Sequence, residues 1–161
     1  MSKERRIIFT GYTLKDLQTL YPLKKLKKGT IEVETWFILI SPNIADVDKW
    51  NNIIGLSPSE YVIKGNKVSA NPRSMISDTS YWSFEIERCL EKTVEDQILR
   101  MLDQVYLKKI EILKLVKEQG LSVKFKTFVW SDHISDLSIQ FSNDLLRRMT
   151  GLEISFSLER Y

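Results

Sequence analysis

The run Val33-Glu34-Thr35-Trp36-Phe37-Ile38-Leu39-Ile40 constrains the fold more than any other segment. It is β-branched and aromatic, and its second half is apolar at every position, the pattern of a strand covered above and below. Such a strand belongs in the middle of a sheet. The remaining chain must then supply neighbouring strands and a packing layer.

Three further segments alternate with the period of a strand that has one buried face. Trp82, Phe84 and Ile86 alternate with Ser83, Glu85 and Glu87; Leu121, Val123 and Phe125 with Ser122, Lys124 and Lys126; and Leu152, Ile154, Phe156 and Leu158 with Glu153, Ser155, Ser157 and Glu159. Tyr61-Val62-Ile63 adds a brief strand that ends at the turn residues Lys64-Gly65-Asn66. After a turn at residues 131 to 136, Leu137, Ile139 and Phe141 alternate again, which predicts a hairpin with the strand before them.

The packing layer is helical. Thr93 is a cap for a helix whose Val94, Ile98, Met101, Leu102, Val105, Leu113 and Val116 fall on one side, until Gly120 stops it. At 1.5 Å per residue this helix would be about 40 Å long, more than a small sheet covers, so a bend is expected at residues 107 to 109, where the apolar stripe drifts. Ser41 with Pro42 predicts the start of a short helix that carries Val47, Trp50, Ile53 and Ile54 and stops at Gly55. Ser142 predicts another, with Leu145, Leu146 and Met149, ending at Gly151. A strand, a Ser cap, a short helix and Gly-Leu thus occur twice, an echo that the same capping rules applied twice would also produce.

The chain's 161 residues suit a single domain, and no apolar run reaches the ~18 residues of a membrane span. Cys89 is the one cysteine and has no partner for an internal disulfide, which suits a reduced compartment. Residues 1 to 10 lack the apolar stretch and cleavage site of a secretion signal. The net charge of +3 is too small to demand a polyanionic partner. The charge is nevertheless uneven, because residues 1 to 32 hold eight basic and three acidic side chains. There Leu14, Leu17, Leu20 and Tyr21 have helical spacing ahead of Pro22, and Lys24-Lys25-Leu26-Lys27-Lys28-Gly29 follows.

Few groups suggest chemistry. His133, the only histidine, sits between Asp132 and Asp136, but a turn uses Asp and Ser to bond its own backbone, and one imidazole without a second His or a thiolate makes a poor metal site. Cys89 has no base beside it in sequence, and the chain lacks a phosphate-binding Gly loop, a nucleophile elbow and paired Cys-x-x-Cys. The basic run has no aromatic residues interleaved for stacking on bases, which argues against nucleic acid. Residues 64 to 80 read as a long polar loop whose Lys64, Lys67 and Arg73 could meet a partner, with Trp82 beside it on the buried face of its strand.

Gly55-Leu56-Ser57-Pro58-Ser59, the Lys64-Gly65 turn, the Trp82-Ser83-Phe84 strand opening, the long helix and the closing strand to Tyr161 together resemble the family called domain of unknown function 4279, over residues 33 to 161. The resemblance implies bacterial origin and a small α+β domain, and it supplies no activity or catalytic residues to carry across.

The expectation is one α+β domain. Residues 1–32 form a basic extension, and residues 33–161 a mostly antiparallel sheet of five to six strands with one long and two short helices. The strand–helix–strand order at both ends also admits a ferredoxin-like unit or two such units fused. The expected function is a cytoplasmic, non-catalytic binding protein that docks another protein or a small ligand, as a small immunity protein does, with no cofactor and no metal. Its contact residues are expected among Lys64, Lys67, Arg73, Trp82, Asp132 and His133. The rivals are an enzyme on a small polar substrate that uses Asp132, His133 or Asp136, and a nucleic-acid binder that uses the basic segment.

Overall fold

The structure is a computed structural model that describes residues 31–69, 74–91, 93–131 and 139–161. Its strands are β1 (Ile31–Ser41), β2 (Glu60–Val62), β3 (Ser80–Glu91), β4 (Ser122–Ser131) and β5 (Ser155–Arg160). They form one sheet in the order β2-β3-β1-β4-β5, which puts the apolar run in the middle. β1 is antiparallel to β3 and β4, β2 is antiparallel to β3, and β5 runs parallel to β4.

The helices are α1 (Val47–Ile54), α2 (Val94–Val105), α3 (Lys109–Gln119) and α4 (Asn143–Gly151). A 3-10 turn at Tyr106–Lys108 joins α2 to α3, so the long helix is 26 residues with its regular winding interrupted close to where its apolar stripe drifts. Thr93 and Asp96 form a capping box at its start, and Gly120 closes it at φ 64°, a conformation that a side chain would strain. Ser142 caps α4 through Leu145 N–H, as its sequence predicts.

Two expectations need correction. α1 begins later than Ser41 and Pro42 suggest, with Asp46 accepting from Lys49 N–H, while the Ser41 hydroxyl bonds Asn43 N–H at the end of β1. The predicted hairpin after β4 is also not seen in the described residues. β1 and β5 occupy both edges of β4, so no edge remains for it, and Ile139 and Phe141 pack on the core outside any strand. Leu137 and the short helix predicted around Leu14 to Tyr21 lie outside the described residues.

All the described helices pack on one face of the sheet. Val33, Phe37 and Leu39 of β1, Trp82 of β3 and Val123, Phe125 and Val129 of β4 meet Trp50, Ile54, Ile98, Met101, Leu102, Ile112 and Leu145 there. Phe37 sits at the centre, edge-on to Trp82 and Phe125 at centroid distances of 6.2 and 5.6 Å. The two buried indoles keep polar partners, Trp82 donating to Asn51 Oδ1 at 2.7 Å and Trp50 to Gln119 Oε1 at 2.9 Å.

The β1–β3 ladder contains one irregularity. Thr35 pairs with Ile86 and Val33 with Cys89, so two β3 residues, Glu87 and Arg88, oppose Glu34 alone. Such a bulge interrupts the ladder and leaves carbonyls without their strand partners. Gln97 of α2, fully buried, fills the gap: its side-chain amide donates to the carbonyls of Val33 and Glu87, and its oxygen accepts from the Thr35 hydroxyl at 2.8 Å. Gln97→Leu keeps the volume and removes every one of these bonds. It should destabilise the fold by roughly 2–4 kcal/mol in urea unfolding, since each orphaned buried group costs about 1–3 kcal/mol; a loss under about 1 kcal/mol would contradict this role.

Candidate functional site

The bulge reverses the alternation of β3. Before it, even-numbered residues such as Phe84 and Ile86 pack against the helix-side core. After it, Cys89 turns to that side, where Gln97 and Arg100 donate to its sulfur, and Arg88 turns outward. A one-residue offset moves every later side chain to the other face. The outer face therefore collects Glu85, Glu87 and Arg88 of β3 around Glu32, Glu34 and Trp36 of β1, with Lys124, Lys126, Phe128 and Trp130 of β4 alongside.

The rows across the strands give its layout. Glu85 lies beside Trp36, and Trp36 beside Lys126. In the next row Glu34 lies beside Phe128, and in the one after, Glu32 beside Trp130. Toward the other end Ile38, Ile40, Val62 and Tyr81 form a smaller apolar cluster. The face thus has an acidic, aromatic end and an apolar end.

The cations at the acidic end are already engaged. Arg88 binds the Glu32 carboxylate and lies over the Trp130 ring, 4.1 Å from its centroid. Lys126 pairs with Glu159 at 2.9 Å and sits 4.7 Å from the Phe128 centroid. Trp130 stacks on Tyr161 with centroids 5.5 Å apart, which fixes the aromatic wall. Arg88 and Lys126 are therefore held by carboxylates at the edges of the cluster.

Three carboxylates of this end, Glu34, Glu85 and Glu87, have no such pairing with a described residue. Glu34 is 3% exposed and accepts from the Trp36 indole N–H. Burial raises its pKa; the Trp36 bond and the charges of Arg88 and Lys126 oppose that rise, while Glu87 adds to it. Glu85 is half-buried and makes no ion pair with a described residue. Burial first, and then repulsion from Glu34, Glu87 and Glu60, push its pKa from 4.5 to about 7. Glu85 can therefore hold a proton up to near neutrality.

The residues singled out by sequence lie elsewhere. Lys64 is exposed and its ammonium donates to the Pro42 carbonyl at 2.6 Å, and the exposed Lys67 forms a bridge with Ile76. Trp82 is 0% exposed, so its ring meets the core and presents nothing to a partner. Arg73, Asp132, His133 and Asp136 lie outside the described residues. Among the described residues, no group of three or more His, Cys, Asp and Glu is placed to hold a metal, and no helix is long and apolar enough to cross a membrane.

The chain belongs to the family described as domain of unknown function (DUF4279), whose model matches residues 31–161. No curated protein and no solved structure matches it.

The Glu85 environment makes a pH-dependent prediction. Between pH 4.5 and about 7 the folded chain binds more protons at Glu85 than the unfolded chain does, so its contribution to stability falls as pH rises through that window. Glu85→Gln should therefore raise the melting temperature at pH 8 and leave it unchanged at pH 4. Equal melting curves at pH 8 would refute the environment described.

Proposed function

We propose that this member of the DUF4279 family is a binding protein without turnover, which docks a basic segment of another protein on the acidic, aromatic end of the outer sheet face. The observation that carries this reading is Glu85: a half-buried carboxylate surrounded by Glu34, Glu60 and Glu87, with no ion pair to a described residue. Repulsion among carboxylates held on rigid strands is relieved by a cation from outside. Trp36, Phe128 and Trp130 offer aromatic surface next to them, which favours the planar guanidinium of arginine over a strongly hydrated ammonium.

On this reading the chain works as one domain, a core of residues 33–161 with a basic extension at residues 1–32, in the bacterial cytoplasm. The lone cysteine, with no partner for an internal disulfide, supports a reducing compartment. The proposal moves the contact surface away from Lys64 and Lys67 because basic side chains there would repel the same partner.

A hexa-arginine peptide tests the reading by calorimetry. The chain's overall charge is +3, so a polycation that binds must be responding to a local field. Binding should tighten between pH 6 and pH 8 as Glu85 ionises, weaken with salt, and drop by at least tenfold in Glu85→Lys with the circular dichroism spectrum unchanged. Undiminished binding by Glu85→Lys, or no binding by the wild-type chain, would overturn it.

A further inference from the structure

The middle of the long helix carries two apolar side chains that the fold leaves in water. Leu107 is 83% exposed and Ile110 80%, although the opposite side of the same helix, from Ile98 to Leu115, lies in the core. Their neighbours show where they point. Lys108 lies against Gly55 at the end of α1, and Lys109 against Gly151 of α4. The two lysines thus lean to either flank, and Leu107 and Ile110, three residues apart, form the crest between them. One exposed leucine is ordinary, but an adjacent apolar pair rimmed by charge marks a contact surface.

The charges beside the crest select its occupant. Asp96 and Asp103 lie on the exposed side of α2, and Lys114 and Lys117 on the exposed side of α3. Arg100, between the two acids, is neutralised by Glu91. The helix dipole favours acid in a first turn and base in a last one, but its influence fades within a turn, and Asp103 and Lys114 stand farther in. The crest is therefore acidic on one side and basic on the other, which is a self-complementary arrangement.

We propose that a second copy of this chain packs on the crest, its long helix antiparallel to the first, about a two-fold axis that passes between Leu107 and Ile110. Asp103 stands four residues before Leu107, and Lys114 four residues after Ile110. Setting Leu107 beside the partner's Ile110 therefore brings Asp103 opposite the partner's Lys114, and the axis makes each of these pairs occur twice. Lys117 falls within one turn of the partner's Asp96. A parallel pairing would instead set acid against acid and base against base.

Both charged groups have room for the new contact. The Asp103 side chain is 68% exposed with Arg148 at 2.7 Å, and that of Lys114 is 70% exposed in its 3.8 Å pair with Glu118. Exposed pairs of this kind are weak, so they do not compete with a contact that loses its water. Helix-to-helix contact also leaves the two sheets on the outside, where the outer face of each copy stays open. One helix per copy makes a small interface, so the association is reversible and in the micromolar range.

Sedimentation of the full chain tests this. Between about 5 and 500 μM the wild-type mass should rise from 18.9 kDa toward twice that value. Leu107→Glu combined with Ile110→Glu should stay monomeric throughout, with an unchanged circular dichroism spectrum. Asp103→Lys and Lys114→Asp should each weaken the dimer about tenfold, because every exchange acts at two symmetric pairs. The two charge exchanges combined should restore it to within about threefold of wild type. Damage inside one chain would not be repaired in this way, since residues 103 and 114 are about 16 Å apart along the helix.

A wild-type chain that stays monomeric at the highest concentration overturns the proposal. A dimer that survives the two glutamates on the crest overturns it too, because the contact then lies elsewhere. A dimer that they abolish, but that the combined charge exchange fails to restore, overturns the antiparallel register.

Discussion

The geometry of the outer face depends on a single side chain in the opposite layer. Gln97, on the buried side of α2, holds the carbonyls that the β1–β3 bulge frees, and so makes the bulge tolerable in the core. A bulge whose carbonyls found no donor would cost more than the extra residue gains, and the ladder would shift to a regular register. That shift would turn Arg88 inward and Cys89 outward, separating Arg88 from Glu32 and Trp130. The electrostatics of one face are thus set by a hydrogen bond on the other.

β1 links the two layers. Val33, Phe37 and Leu39 anchor it to the helices, while Glu34 and Trp36 between them face outward. Phe37, clamped edge-on between Trp82 and Phe125, fixes the positions of both neighbouring strands relative to β1. Side chains on the outer face inherit that rigidity, and this is why Glu34 and Glu85 cannot move apart to relieve their repulsion. Burial first, and then the rigid placement of like charges, raise the Glu85 pKa to about 7.

Much of the fold was legible in the sequence because local rules decided it. The central strand, the caps at Thr93 and Ser142, the stop at Gly120 and the 3-10 interruption at residues 106–108 all follow from periodicity and capping. Where a non-local choice decided, local reading failed. Ile139 and Phe141 alternate like a strand, but β5 takes the edge of β4 that a hairpin would need. Ser41 and Pro42 look like a helix start, but β1 continues through Ser41 to pair with Ser80.

The candidate site was half legible. The outward rows Ser83, Glu85, Glu87 and Ser122, Lys124, Lys126 are visible in the sequence, and so are Glu32 and Glu34 in an otherwise apolar strand. What sequence reading lacked was the strand order, which sets Glu85 beside Trp36 and Trp36 beside Lys126, and the bulge, which brings Arg88 to the same side. Trp82 lies in the core, on the buried face that its alternation predicts. The most direct measurement of the central claim is amide chemical-shift mapping as an arginine-rich peptide is added to the labelled chain. The account predicts the largest shifts at residues 32–36, 84–88 and 126–130, on three adjacent strands; shifts gathered on α2 and α3 or on residues 64–69 would contradict it.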